Sequence, residues 1–332
     1  MRLRTRGPLT LGALGAAVVA AALAAWLVFA TLSAPWPLRA TTVVIGEGHG
    51  VAAIAAQLYQ ERVLRYPFAL RFLARLRGVA LDLHAGEFTF APHQSAAAIL
   101  DRLVAGGVAP YVRVTIPEGF TARQIAQRLA AMGLGSERAY EQVFLRTPLT
   151  IDGQRTVNME GFLFPDTYDF DRRATPRENA GRMVAQFLRG LPPDAAARAR
   201  ALGLTLPQIV TVASLIEREA KVDDERALMA GIYYRRLELG MPLEVDATIE
   251  YALPEHRAVL TYRDLAIDSP YNTYRRAGLP PTPIANPGSA SLRAAFHPQS
   301  SPYLYYVYRG QGRHAFARTL AEQQANIARY LK

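Results

Sequence analysis

The 332-residue sequence contains no cysteine and only two lysines, Lys221 and Lys332. Without cysteine there is neither a disulfide framework nor thiol chemistry. Scarce lysine leaves only Lys221 near the candidate acids discussed below, which gives pyridoxal-type Schiff-base chemistry little support. The histidines, at 49, 84, 93, 256, 297 and 314, show no H-E-x-x-H or related spacing, and this argues against a metal site. No G-x-S-x-G elbow, P-loop or dinucleotide fingerprint occurs either, so the commonest hydrolase and nucleotide readings fall away. No cofactor is expected. The formal charge of +10 is carried almost wholly by arginine, a compositional bias rather than the mark of a nucleic-acid surface. The summed field would still draw the chain toward anionic lipid headgroups and acidic wall polymers.

Long hydrophobic runs are also few. One uncharged apolar run extends from Leu9 to Leu32, close to the roughly 20 residues a helix needs to cross a bilayer core and longer than the about 7 to 15 of a cleavable signal. It is read as an uncleaved transmembrane helix over 9–32. Arg2, Arg4 and Arg6 in the tail 1–8 favour a cytoplasmic N-terminus. The competing reading is a long signal peptide cut near Ser33-Ala34, and either one exports the rest of the chain.

Beyond the run, ATTVVIGEG (40–48) predicts a strand, VAAIAAQLYQERV and FALRFLARLRG two helices, and HAGEFTFAP a returning strand. With the amphipathic SAAAILDRLVAGG this makes a small βααβ unit over 40–108. YVRVTIPEG (111–119) alternates as a strand, and Thr121 is placed to cap the helix TARQIAQRLAAMGL. Helical pattern runs from Glu178 to Arg200, broken by Pro192-Pro193. LPQIVTVASLIEREAKV (206–222) and DERALMAGIYYRRLELG (224–240) then predict a helix pair that stops at Gly240. Nine prolines between 242 and 302 predict fixed loops around a site, with SASLRAAFH the only helical stretch there. YLYYVYRG and RHAFAR read as a hairpin, and LAEQQANIARYLK as a closing helix. The fold class expected is α+β, with a larger mixed domain over 109–332.

Within ASLIEREAK (213–221) two glutamates stand two apart. With Ile216 at the centre of the apolar stripe, Glu219 falls at about 60° and Glu217 at about 100° on the other side. Glu217, with Lys221 four residues on, reads as an exposed helical pair. Glu219 has no basic neighbour at those offsets, and desolvation together with Asp223 would raise its pKa, as in a carboxylic acid that donates a proton. A buried glutamate paired with an arginine fits the same pattern, and helix phase alone does not separate the two. The loops PLEVDATIEYAL, SPYNTYRRAGLPPTPIANPG, AAFHPQ, PYLYYV and GRHAF concentrate aromatic and amide side chains, a mixture suited to sugar recognition or to a loop-rich core.

The pairing of ASLIEREA with SPYNTYRRAGLPPTPIANPG, together with EGFLFPDTY at 160–168, resembles the endolytic murein transglycosylase family, YceG-like, over nearly the whole chain. The resemblance implies a transmembrane helix, a LysM-like small unit and a catalytic domain outside the cytoplasmic membrane. It implies peptidoglycan glycan strands as substrate, cut between N-acetylmuramic acid and N-acetylglucosamine; wall-synthesis enzymes are a candidate class of partner that the sequence does not decide. It assigns catalysis to Glu219 and brings Asp246 and Thr248 of a strand-like segment, Asn272, Tyr274, Asn286, Tyr305, His314 and Phe316 toward the cleft as substrate-binding residues. Ala247 stands where the family usually has proline, Arg313 where glycine is common, and Gln323 where histidine is often seen. In the implied reaction one acid suffices, because the muramyl C6 hydroxyl is the nucleophile; ordinary glycosidases need two. The alternative is a membrane-tethered glycan-binding scaffold without catalysis.

Overall fold

The computed structural model describes residues 15–26, 39–108, 110–255, 257 and 260–331. The predicted tail 1–8, both ends of the predicted span and the Ser33-Ala34 site lie outside these residues. Of the apolar run, Gly15–Trp26 is seen as one helix, α1. Among the described residues no single helix is long and apolar enough to cross a membrane. The chain divides into two units, up to Pro110 and from Tyr111 onward.

In the first unit, β1 (Thr41–Ile45) pairs antiparallel with β2 (Gly86–Phe90), Thr41 opposite Phe90. Between them run α2 (Val51–Gln60) and α3 (Pro67–Leu76), and α4 (Ala96–Ala105) follows, its first turn capped by the Ser95 side chain. Val43 and Ile45 alternate inward with Phe88 and Phe90. The helices close over them with Ile54, Leu58, Leu70, Leu73, Ile99 and Leu103. The βααβ order and the helix after it are those the periodicity predicts.

The second unit opens with β3 (Tyr111–Thr115), paired antiparallel with β6 (Thr167–Asp171). Between these strands lie α5 (Ala122–Ala131), α6 (Glu137–Arg146) and the two-residue strands β4 (Thr150–Ile151) and β5 (Gln154–Arg155). Thr121 caps α5 as expected, in a full capping box with Gln124. α7 (Pro176–Gly190) and α8 (Ala195–Ala201) flank the Pro192-Pro193 break and lead to α9 (Leu206–Glu219) and α10 (Asp223–Glu238). Gly240 takes the left-handed conformation, φ +65°, that the end of α10 requires. Then come α11 (Asp246–Ala252), the single turn α12 (Tyr262–Leu265) and α13 (Ser289–Phe296). The hairpin β7 (Tyr305–Gly310) and β8 (Arg313–Ala317) and the final helix α14 (Leu320–Tyr330) close the unit.

α9 is the axis of this unit. A capping box at Thr205 and Pro207 in its first turn start it, and every residue from Ile209 to Ile216 is buried. It is therefore covered on all sides rather than along one stripe. α10 is packed as closely: a Cβ on Gly231 would lie 1.9 Å from the Gln299 carbonyl oxygen, which belongs to backbone crossing the helix there. Gly231→Ala, which ordinarily favours a helix, is instead expected to destabilise the second unit by about 1 to 3 kcal/mol. A thermal melt showing no loss would contradict the crossing.

Two expectations are corrected. The segment around Asp246 and Thr248 is helical, not strand-like. The Thr248 hydroxyl and N–H both donate to the Val245 carbonyl, and Asp246 supplies an acid to the first turn of α11. Ala247, Thr248 and Ile249 are buried in succession, so a short helix covered from several sides replaces the alternation read from sequence. Glu217, in turn, is not part of an exposed pair with Lys221. Its side chain is 7% exposed, accepts the Gly288 N–H at 3.0 Å and lies 3.6 Å from the Arg226 guanidinium, because α13 and α10 cover that flank of α9.

Candidate active site

Helix α9 ends at Glu219, where Ala220 turns to extended backbone. The residue thus sits at a helix terminus, with the first turn of α11 against it. Glu219 lines a cleft of about 580 Å³ together with Asp246, Tyr274, Tyr305, Tyr306 and His314. Its carboxyl is raised to about 7, first by desolvation and then by the nearby Asp246 charge, with Glu250 adding to the rise. The Ala247 backbone N–H beside the carboxylate and Lys221 oppose the shift. The raised pKa has the expected main cause, but the like charge is Asp246 rather than Asp223, which pairs with Arg226 at 3.0 Å. Lys221, placed on the other glutamate by helix spacing, acts on this one.

The walls are held by partners that sequence reading missed. The Tyr274 hydroxyl donates to Asp246, fixing that carboxylate, and burial raises the phenol's own pKa. The Tyr233 and Tyr306 hydroxyls share a 2.9 Å hydrogen bond, and burial beside Glu219 keeps both phenols neutral far above their usual range. The buried Arg236 donates to the carbonyls of Leu304, Pro242 and Leu243 and to Glu244, while its guanidinium lies 5.0 Å from the Tyr305 ring centre. One arginine thereby ties the strand β7 to the segment leading into α11. His314 Nδ1 lies 2.8 Å from the buried Glu225 carboxylate, which also accepts the His314 N–H. With Nδ1 committed to Glu225, Nε2 is the ring nitrogen left to meet a ligand.

The other four candidates do not line the cleft. Thr248 is buried, bonded to Val245 and to the Thr273 hydroxyl. Asn272 is buried and folds its own loop, donating to the Leu265 and Ile267 carbonyls and accepting from the N–H groups of Tyr274 and Arg275. Asn286 is buried, accepting the Leu163 N–H and donating to Phe120 O and Glu160. Phe316 packs beside His314 and Tyr303. Polar groups so engaged shape loops instead of meeting a ligand. Of the three departures from the family pattern, Gln323 lines the cleft, Arg313 pairs with Asp224 at 2.9 Å, and Ala247 supplies the N–H that a proline lacks.

EGFLFPDTY forms a second buried polar centre. Glu160 accepts the Ala122 N–H at the start of α5, the Asn286 side-chain N–H and the Tyr251 hydroxyl from α11. Desolvation raises it to about 7 despite these donors. Gly161, at φ +89°, lies so close to Pro283 that a Cβ would come within 2.4 Å of it, locking this motif against the LPPTPIANPG loop.

Comparison with known proteins gives the family. The family model described as the YceG-like family matches residues 43–329. An endolytic murein transglycosylase of Bacillus subtilis is 31% identical over 308 residues, covering 88% of this chain and 85% of the relative. One from Streptococcus pneumoniae is 28% identical over 327 residues, covering 87% of this chain but 58% of that longer protein. The crystal structure of a yceG-like protein from Listeria monocytogenes superposes with a TM-score of 0.59 at 28% identity, covering 87% of this chain and 99% of its own. The chain belongs to the YceG-like family.

Proposed function

We propose that this protein is an endolytic peptidoglycan lytic transglycosylase that cuts MurNAc-GlcNAc bonds within glycan strands and leaves 1,6-anhydro-MurNAc ends. The observation that carries the reading is Glu219, an acid raised to about 7 in a tyrosine-lined cleft. The relatives' activity supports it. Protonated Glu219 donates to the glycosidic oxygen, and the bond from that oxygen to the muramyl C1 breaks with positive charge developing on the ring. Glu219, now a carboxylate, takes the proton of the muramyl C6 hydroxyl as O6 bonds C1. The acid is regenerated and no water is consumed. Asp246, held by Tyr274, supplies negative charge beside the developing cation. Tyr305 offers a face for a sugar ring, and His314 Nε2 a hydrogen-bonding partner for a hydroxyl. Thr248, Asn272 and Phe316 support these groups from behind, whereas Asn286 holds the separate centre at Glu160.

In this reading residues 9–32 anchor the chain in the cytoplasmic membrane with the N-terminus inside. The unit over 40–108 is a LysM-like module that grips glycan, and 109–332 is the catalytic domain, acting beside wall-synthesis enzymes. Purified full-length protein incubated with isolated sacculi tests the activity. A binding scaffold would retain glycan and release nothing.

The protonated form of Glu219 performs the first step, so the rate should be level below neutrality and fall as pH rises through about 7. Ala247→Pro removes the N–H that holds this pKa down. The descending limb should therefore move to higher pH, while Ala247→Gly, which keeps the N–H, leaves it in place. A limb unmoved by proline would remove Ala247 from the account.

A further inference from the structure

Residues 62–78, RVLRYPFALRFLARLRG, contain five arginines and no acidic residue. Helix α3 lies within this stretch and buries Ala69, Leu70, Leu73 and Ala74 in the core of the first unit. Its other side is also apolar: Phe68, Phe72 and Leu76 are 51%, 49% and 69% exposed. At about 100° per residue these three share an arc of about 80°, and Arg71 and Arg75, both exposed, lie directly beside it on the side away from the core. A helix that keeps two large aromatics and a leucine in water, flanked by arginine with no acid between Glu61 and Asp82, has the composition of an interfacial helix.

We propose that this face of α3 rests on an anionic lipid bilayer, with Phe68, Phe72 and Leu76 at the level of the acyl boundary and Arg71 and Arg75 among the headgroups. Two features favour a bilayer over a glycan or a second copy. The basic flank is complementary to anionic headgroups but would repel the same flank on another copy. The same polypeptide also carries α1, twelve residues without a single polar side chain, all exposed. Contact at α3 would fix how the first unit is held at the membrane, which an anchor of one helix leaves free. This inference stands apart from the cleavage chemistry and survives or fails without it.

The absence of cysteine makes the test direct. Phe72→Cys is introduced into the full-length chain, labelled with an environment-sensitive fluorophore and reconstituted into vesicles. Thr89→Cys, exposed on β2 on the side of the strand opposite the buried Phe88 and Phe90, serves as control. The label at 72 should shift to the blue and be quenched by acyl-chain quenchers in vesicles rich in phosphatidylglycerol, and do so less in phosphatidylcholine. The label at 89 should stay in water in both. Adding Arg71→Glu and Arg75→Glu should abolish the difference between the lipids. Three results would overturn the proposal: a label at 72 that stays in water in every lipid, an equal shift in both lipids, or a shift without lipid that grows with protein concentration, which would identify a second copy.

Discussion

Glu219→Gln is expected to lower release of anhydro-muropeptides by about 10² to 10⁴-fold, the range a general acid and base usually contributes. Glutamine keeps the shape of the side chain, so folding should survive and the loss should fall on turnover. Glu217→Gln serves as the comparison. It weakens a buried tie among Gly288, Arg226 and α9, so its main effect should be on thermal stability while the pH dependence of the remaining activity stays that of Glu219. Equal, large losses of turnover in two variants that both melt like the parent would mean that the wrong glutamate has been assigned.

The largest effect on stability is expected at Glu160. Glu160→Ala strands the Ala122 N–H, the Asn286 amide and the Tyr251 hydroxyl inside the protein. An unsatisfied buried donor costs about 1 to 3 kcal/mol, so a loss of about 3 kcal/mol or more is expected. This lowers the melting temperature of a unit this size by about 6 to 12 °C. The pH dependence has a definite sign. Glu160 is raised from an ordinary 4.5 to about 7 in the folded protein. Between those values the folded state keeps a proton that the unfolded chain releases, so stability from this group is full below about 4.5 and lost as pH rises through about 7. The gap in melting temperature between parent and Glu160→Ala should accordingly be widest in mild acid and narrow toward pH 8. A constant gap would mean that Glu160 does not titrate in that window.

What the sequence disclosed follows from how local each signal is. Thr121 before an amphipathic run, Gly240 after one and the Pro192-Pro193 break all act through neighbouring residues, and each appears where the pattern puts it. Helix phase misplaces Glu217 because it assumes one buried stripe, whereas α10, the next helix, and α13, from a distant part of the chain, cover α9 on its other flanks. α11 was missed for a related reason: successive buried residues at 247–249 have no amphipathic period. Asn272 and Asn286 stand out in sequence as polar residues within motifs, yet their partners lie in backbone that only the fold brings near. Glu160, Glu225 and Arg236 would ordinarily be read as surface charges. Their burial depends on contacts such as Asn286 to Glu160, 126 residues apart, and His314 to Glu225, 89 apart, which no local pattern reveals. Where resemblance and geometry meet, at Glu219, Asp246, Tyr274, Tyr305 and His314, they describe one cleft.

The central claim is that a single carboxyl in this cleft serves as both acid and base, with the muramyl C6 hydroxyl in place of water. Asp246 is the second carboxylate beside Glu219, and an enzyme that used it to activate water would be a hydrolase. Mass spectrometry of glycan ends released from uncrosslinked strands by the purified full-length protein separates the two most directly. The expected products are 1,6-anhydro-muramyl ends, lighter by one water than reducing ends, and these should be absent with Glu219→Gln. Reducing ends from the parent enzyme, or anhydro ends persisting in the variant, would contradict it.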